Sequence, residues 1–426
     1  MDLADVIAIM ESGSRPKGGV PADGGEVMSL GGENILQHGG VELRGVKRVP
    51  HDFFAAMTKG LLRDRDVLIN KDGANTGKVG LFRDPGDEPA CINEHLFLLR
   101  GDASQITQEY LYYTILSERG QSVIRNRISG SAQPGLKSSF INNFSIDLPH
   151  AIDEQDQITR ILQQVDHTIE QTEALIAKQQ RIKTGLMQDL LTKGIDEHGN
   201  IRSEATHAFK DSALGRIPVE WVVSKLSALT TKIVDGVHHT PVYVETGIPF
   251  ITITDLTAGD GISFDNVRYV TESDHKAFVL RADPTTGDVL VTKDGTLGVA
   301  RIVPDGCPVF SIFVSVAQLR PKKDFCTAEL IWSFFESGEF KIQLGALSAG
   351  TGLAHIHLEH FREFLLRVPP IGEQFRIFQV ISKHRNATQA ISAELVKLRA
   401  IKDGVMDDLL TGKRPVTELL AQTTPH

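Results

Sequence analysis

A stretch that occurs twice constrains this chain more than anything else in it. A gapless shift of 219 residues lays Glu154-Gln155 on Glu373-Gln374, Ile158 on Ile377, Lys178 on Lys397 and Ile182-Lys183 on Ile401-Lys402. The same shift lays Gly185 on Gly404, Met187 on Met406 and Asp189-Leu190-Leu191-Thr192 on Asp408-Leu409-Leu410-Thr411. In the first copy the apolar seam steps by three or four through Ile158, Leu162, Val165, Ile169, Thr172, Ile176, Gln179, Ile182, Leu186 and Leu190. The second copy steps identically through Ile377, Ile381, His384, Thr388, Ile391, Leu395, Leu398, Ile401, Val405 and Leu409. This spacing predicts two long helices. Their polar seam positions are staggered (Thr172 against Ile391, Gln179 against Leu398), so neither suits a homo-oligomeric zipper and each is expected to pair with the other.

Between the helices a second plan repeats. Asp66-Val67-Leu68-Ile69-Asn70-Lys71-Asp72-Gly73 corresponds to Asp288-Val289-Leu290-Val291-Thr292-Lys293-Asp294-Gly295, a buried strand ending in a turn signal. Leu96–Leu99 reads as a further buried run, and 108–117 as a helix with Leu111, Ile115 and Leu116 inward. Small-residue loops follow at 129–137 and 348–353, and Pro149 and Pro369-Pro370 precede the long helices. The expected order is therefore a domain at 1–150, a helix at 151–194, a connector at 195–215, a domain at 216–370, a helix at 371–412 and a tail at 413–426. The fold class is α+β: two α/β domains in tandem duplication, alternating with two long helices that pack as an antiparallel coiled coil. The domains match only at anchor points while the helices match throughout, which implies two specificities delivered in one geometry.

Composition narrows the function. At 426 residues and 41% hydrophobic content the chain can bury more than one core. No run of eighteen apolar residues and no basic leader with an apolar stretch is present, so no membrane span or signal peptide is expected. Three cysteines without CxxC spacing fit free thiols in a reducing cytoplasm. The net charge of −9 excludes a strongly basic, free-standing nucleic-acid binder; if nucleic acid is the ligand, local basic patches or a partner subunit must supply the attraction.

Motifs that suggest catalysis fall short. Gly73-Ala74-Asn75-Thr76-Gly77-Lys78-Val79 resembles a phosphate loop, but has three residues between its glycines and Val79 where a magnesium-binding hydroxyl is needed. A tight turn, or a hairpin tip whose lysine touches phosphate, fits better. His355, His357 and His360 have no histidine counterparts in the first domain and no converging Cys or acidic set, so they read as surface or packing residues rather than a metal site. His238-His239 allows the same two readings. No S-adenosylmethionine loop, nuclease motif or Ser/His/Asp order is found, so no catalytic residue, bound cofactor or metal is expected on this chain.

The Ile217-Pro218-Val219-Glu220-Trp221 entry, the paired DVLxxKDG strands, the small-residue loops before prolines, the Glu-Gln helix starts and the Asp-Leu-Leu-Thr helix ends occur in one repeated order. In that order the chain resembles the specificity subunit of type I restriction-modification systems, over essentially its whole length. The first domain departs from the pattern by starting almost at Leu3, without an IPxxW lead-in.

The resemblance implies a non-catalytic, cytoplasmic subunit whose two target recognition domains each read half of a bipartite double-stranded DNA site. The helical spacers would set the half-site distance. Implied partners are two methyltransferase subunits using S-adenosylmethionine and two restriction subunits using ATP and magnesium. A protein-interaction scaffold that reads no DNA is the alternative, and chemistry fused on the same chain would need a motif that is not found.

Side chains suited to phosphates or base edges give the candidates. In the first domain they are Arg15, Lys17, Arg44, Lys47, Arg48, Lys71, Asn75, Thr76, Lys78, Arg125, Arg127, Ser131, Gln133 and Lys137. In the second they are His238, His239, Thr252, Thr254, Arg268, Lys293, Thr296, Arg301, Ser348, Thr351, His355 and His357. Apolar positions expected to stay uncovered on the helices, and so to dock methyltransferase helices, are Ile161, Leu175, Met187, Leu191, Val380, Val396, Met406 and Leu410.

Overall fold

The structure is a computed structural model that describes residues 1–20, 24–86, 88–130, 134–347 and 355–416. Its contacts divide the chain into two compact units, 1–174 with 392 onward, and 175–391. Each unit thus takes one α/β domain together with parts of both long helices, Ile152–Thr192 and Ile371–Leu410.

The two domains share one plan. In the first, an antiparallel sheet runs in the order Ile7–Ser12, Leu96–Gly101, Val67–Asn70, Val79–Leu81. A smaller sheet sets Val27–Leu30 between Lys47–Val49 and Ala90–Ile92. In the second domain the four strands are Thr230–Asp235, Val316–Pro321, Val289–Thr292 and Ala300–Ile302, and the three are Arg268–Val270, Ile248–Ile251 and Ser311–Ile312.

The continuous apolar run of the DVL strand follows from burial on both faces. Val67 and Ile69 join the core that receives the long helices, while Leu68 points into a separate cluster with Met28, Leu30 and Ile92. Val289 and Val291 divide from Leu290 in the same way. The aspartate heading each strand is equally constrained: Asp66 takes both arms of Arg100 at 2.6 Å, and Asp288 takes Arg320 at 2.9 Å.

In unit 1, Ile158 and Leu162 pack in one core with Met406, Leu409 and Leu410; in unit 2, Met187 and Leu190 pack with Ile377 and Ile381. Within each unit the start of one long helix therefore meets the end of the other, as an antiparallel pair requires. The seam is not apolar throughout. Ile182 is 43% exposed and its counterpart Ile401 52%, because at that level the inward side of the helix is taken by the neighbouring lysine, Lys402 at 8% exposure and the half-buried Lys183, and the stripe is buried again at Leu190 and Leu409.

The connector is more than a tether. Ile195 is buried, Phe209–Lys210 pairs with Ile217–Pro218, and Arg202 reaches the buried carboxylate of Glu373. Glu373 also accepts from the indole Nε1 of Trp221 at 3.0 Å and from the Ile195 amide at 3.0 Å. These bonds fasten 195–221 to the start of the second long helix.

Candidate nucleic-acid interface

The glycine loop of the first domain is a hairpin connection between Val67–Asn70 and Val79–Leu81. Gly73 and Gly77 adopt left-handed φ of +79° and +94°, and the Gly77 amide returns to the Asn70 carbonyl at 2.8 Å. Thr76 Oγ1 donates to the Gly73 carbonyl at 2.6 Å, and Asn75 donates to Gly32. Its amides are thus used in a tight turn rather than held open for a phosphate. Asn75, Thr76, Lys78 and Arg125 come together on one groove of about 1120 Å³, whose lining also carries Glu170, Glu173 and Asp403 from the long helices.

Several first-domain cations already have carboxylate partners. Arg15 meets Glu94 at 2.8 Å, Lys47 meets Glu33 at 2.7 Å, Arg48 meets Glu88 at 3.1 Å, Arg44 meets Glu42, and Arg125 meets Glu118. All five are solvent-accessible, and such pairs contribute at most about 1 kcal/mol, so DNA phosphate can displace the carboxylate at small cost. Lys17, Arg127 and Lys137 are exposed. The Lys71 ammonium lies 5.4 Å over the Phe97 ring.

In the second domain three candidates are committed elsewhere. Lys293 is only 4% exposed, pairs with the buried Asp235 at 3.0 Å and contacts His355 Nε2 at 3.3 Å, so it is a core ion pair and not a phosphate contact. Arg301 spends its guanidinium on the carbonyls of Gly259, Gly261 and Ala300, clamping a loop. Thr252 caps the Ile253–Thr257 helix together with Asp255. Thr296 lends its carbonyl to the Thr292 hydroxyl, which bridges the turn, though its side chain remains free to face outward.

The remaining candidates stay at the surface. His238 approaches Asp235 at 3.0 Å and Arg281 at 2.8 Å, His239 meets the Phe278 ring edge-on, and Arg268 lies 4.8 Å over the Tyr243 ring. Thr254 bonds the Thr252 hydroxyl at 3.0 Å. His355 stacks edge-on with His357 at 4.6 Å, and no group of His, Cys, Asp and Glu among the described residues could hold a metal. Ser131, Gln133, Ser348 and Thr351 lie outside the described residues.

Sequence reasoning missed the aspartate of the KDG turn. Asp72 holds Nδ1 of His95 in the first domain, and Asp294 holds Nδ1 of His355 in the second. The histidines come from different elements, yet the aspartate is repeated; that repetition was the available signal. Asp235 was also missed: it gathers Arg281, His238 and Lys293, and although burial works against its ionisation these three partners hold its carboxyl below the usual range.

On the helices, Met187, Met406 and Leu410 are corrected. They are buried in the cores of their own units, because each helix end turns that face toward its α/β domain. Leu175 and Val396 are exposed, while Ile161, Leu191 and Val380 are half-buried against the same cores.

A duplicated α/β domain on a duplicated helix, with the surface side chains changed and the framework kept, defines a two-domain specificity protein. The sequence model described as the type I restriction modification DNA specificity domain matches twice, over residues 1–180 and 218–398, and the chain belongs to that family. It is 23% identical over 367 residues to the type I restriction enzyme MjaVIII specificity subunit of Methanocaldococcus jannaschii, covering 84% of this chain and 81% of that one.

Two solved structures share the fold. The S subunit of a type I restriction-modification system from M. genitalium matches with a TM-score of 0.54 at 15% identity, over 96% of this chain and 95% of that one. A chain from a structure describing complex assembly and conformational transition of the type I R-M system matches with a TM-score of 0.61 at 16% identity, over 97% of each. DNA sequence specificity is therefore the role of this chain. No described helix is long and apolar enough to cross a membrane.

Proposed function

We propose that this chain is the non-catalytic, DNA-reading subunit of a type I restriction-modification complex, each domain reading one half of a bipartite site while the long helices set the distance between halves. The observation that carries the reading is the contrast between a repeated framework and unrepeated surfaces. The Asp66–Arg100 and Asp288–Arg320 pairs recur, whereas Lys71 stands over a ring where Lys293 is buried, and His95 and His355 reach equivalent aspartates from different strands or loops.

Two methyltransferase subunits and two restriction subunits are the partners in this reading, and S-adenosylmethionine, ATP and magnesium belong to them. Repetition supports a pair of identical docking sites. Lys178, Ile182 and Gly185 share one helix face and are exposed, as are their counterparts Lys397, Ile401 and Gly404. A β-carbon at either glycine would meet open space among the described residues. The exposed Leu175 and Val396 are not counterparts, since Leu175 aligns with Glu394 and Val396 with Ala177, so beyond the shared positions each face carries one apolar residue of its own.

Methylome sequencing of cells with and without this protein tests the function. One bipartite methylated motif that disappears on deletion is expected. An unchanged methylome in a host that expresses the modification subunit would overturn the reading and favour a scaffold that reads no DNA.

A further inference from the structure

Each α/β domain is latched to its helix ends by the same glutamine. Gln155 accepts from the Thr107 amide at 2.9 Å and donates to the Gln105 and Pro149 carbonyls; Gln374 accepts from the Thr327 amide at 2.9 Å and donates to the Phe325 and Pro369 carbonyls. A lysine common to both copies, Lys402 in unit 1 and Lys183 in unit 2, finds its carboxylate in different places. In unit 1 Lys402 meets Asp166 of the first long helix at 2.6 Å, and the Tyr113 hydroxyl donates to the same carboxylate at 2.6 Å. In unit 2 Lys183 meets Glu336 at 3.6 Å, the last residue of the domain helix Ala328–Glu336.

The exchanged positions are complementary. The residue equivalent to Asp166 is Arg385, whose guanidinium lies 5.5 Å over the Trp332 ring of its own domain. The residue equivalent to Glu336, at the end of the matching Gln108–Leu116 helix, is Leu116, and Tyr113 corresponds to Ser333. One unit keeps its acid on the helix and the other keeps it on the domain.

We propose that these residues form a positional charge lock that matches each recognition domain to its own pair of helix ends and disfavours the reverse arrangement, whatever bases the domains read. The first domain placed on the unit 2 helix ends would face Lys183 and Arg385 with Leu116 and Tyr113, and would bring no carboxylate in place of Glu336. It would also remove Asp260, which accepts from Gln389 at 3.0 Å. The second domain on the unit 1 helix ends would set Glu336 against Asp166, with Lys402 shared between two acids and Arg301 arriving beside Glu336. Lys402 is 10% and Asp166 24% exposed, so the mismatch is sheltered from water in unit 1 and only partly screened.

The test uses the full-length chain and a second full-length chain in which residues 1–150 and 216–370 have traded places, each with and without Asp166→Arg combined with Arg385→Asp. The double substitution is expected to lower the thermal midpoint of the parent by about 2–4 °C and to raise that of the exchanged chain by a similar amount. The same sign in both backgrounds would overturn the proposal. Should the exchanged chain fail to fold in both forms, the parent alone decides. Asp166→Arg should lower its midpoint and adding Leu116→Glu should recover it, and no recovery would equally overturn the lock.

Discussion

Lys293 shows how one buried contact changes a residue's role. A lysine at the end of a strand, before a glycine turn, has the sequence signature of a phosphate contact, and its counterpart Lys71 keeps that option. In the second domain Asp235 stands opposite and is itself buried, so the lysine turns inward. Removing it takes one of three partners from a buried carboxylate that Arg281 and His238 still meet, so the cost stays below the roughly 3–5 kcal/mol of a buried charge left with no partner. Lys293→Ala should therefore lower the urea midpoint of unit 2, whereas Lys71→Ala should leave stability nearly unchanged and weaken DNA binding; chemical denaturation and a salt-dependent band shift separate the two. The partner, Asp235, lies 58 residues upstream, and no local pattern announces it.

Asp283 supplies a pH test at the same scale. Burial works against its carboxylate, yet hydrogen bonds from Lys232, Arg320 and Gln318 outweigh it and hold its pKa at about 2. An unfolded aspartate titrates near 3.9, so the folded value is depressed. The contribution is fully present above that unfolded value and is lost as pH falls through about 2. Asp283→Asn should flatten the decline of unit 2 stability between about pH 4 and 2, read by acid unfolding followed by circular dichroism. An unaltered slope would mean that the Lys232 and Arg320 contacts do not persist in solution.

At the scale of elements, the long helices and the DVL strands were legible because periodicity and repetition point the same way. Leu68 and Leu290 could be seen as buried, but not that they face a different cluster from their neighbours, since that depends on a second sheet assembled from distant residues. The helix seam was legible as a stripe, and its one exposed level was not: Ile182 and Ile401 look like core positions, but the lysine that follows each, Lys183 and Lys402, takes the inward side there, and the stripe is buried again at Leu190 and Leu409. Most of the interface candidates were legible as surface polar residues, while the commitments of Arg301 and Thr252 depend on loop geometry.

Gly185 and Gly404 follow from the same faces. Glycine within a helix costs about 1 kcal/mol relative to alanine, and neither position has a neighbour that would resist a methyl group. Gly185→Ala and Gly404→Ala should each raise the thermal midpoint of the isolated chain. Ile182→Glu and Ile401→Glu should leave that midpoint nearly unchanged but reduce co-purification of the methyltransferase subunit. Intact co-purification in the double glutamate variant would remove this face from the docking site.

For the whole molecule, helix length is the quantity on which half-site spacing depends in the proposed reading. The first long helix has 41 residues and the second 40, about 60 Å each at 1.5 Å per residue, and each contributes to both units. If the pair is a ruler, an insertion must be made in both helices at equivalent places, since lengthening one alone breaks the antiparallel register. The positions between Leu175 and Ile176, and between Glu394 and Leu395, are equivalent under the 219-residue repeat, keep the register that the Glu173–Arg399 and Asp166–Lys402 ion pairs set, and lie well away from either glutamine latch. Four residues added at each preserve the helix face to within about 40° and lengthen the pair by about 6 Å, which is one to two base-pair steps of 3.4 Å. Methylome sequencing should then report the same two half-sites separated by one or two additional unread base pairs. Changed half-site bases would place specificity in the helices, and an unchanged spacing with methylation retained would show that the domains, and not the helices, set the distance.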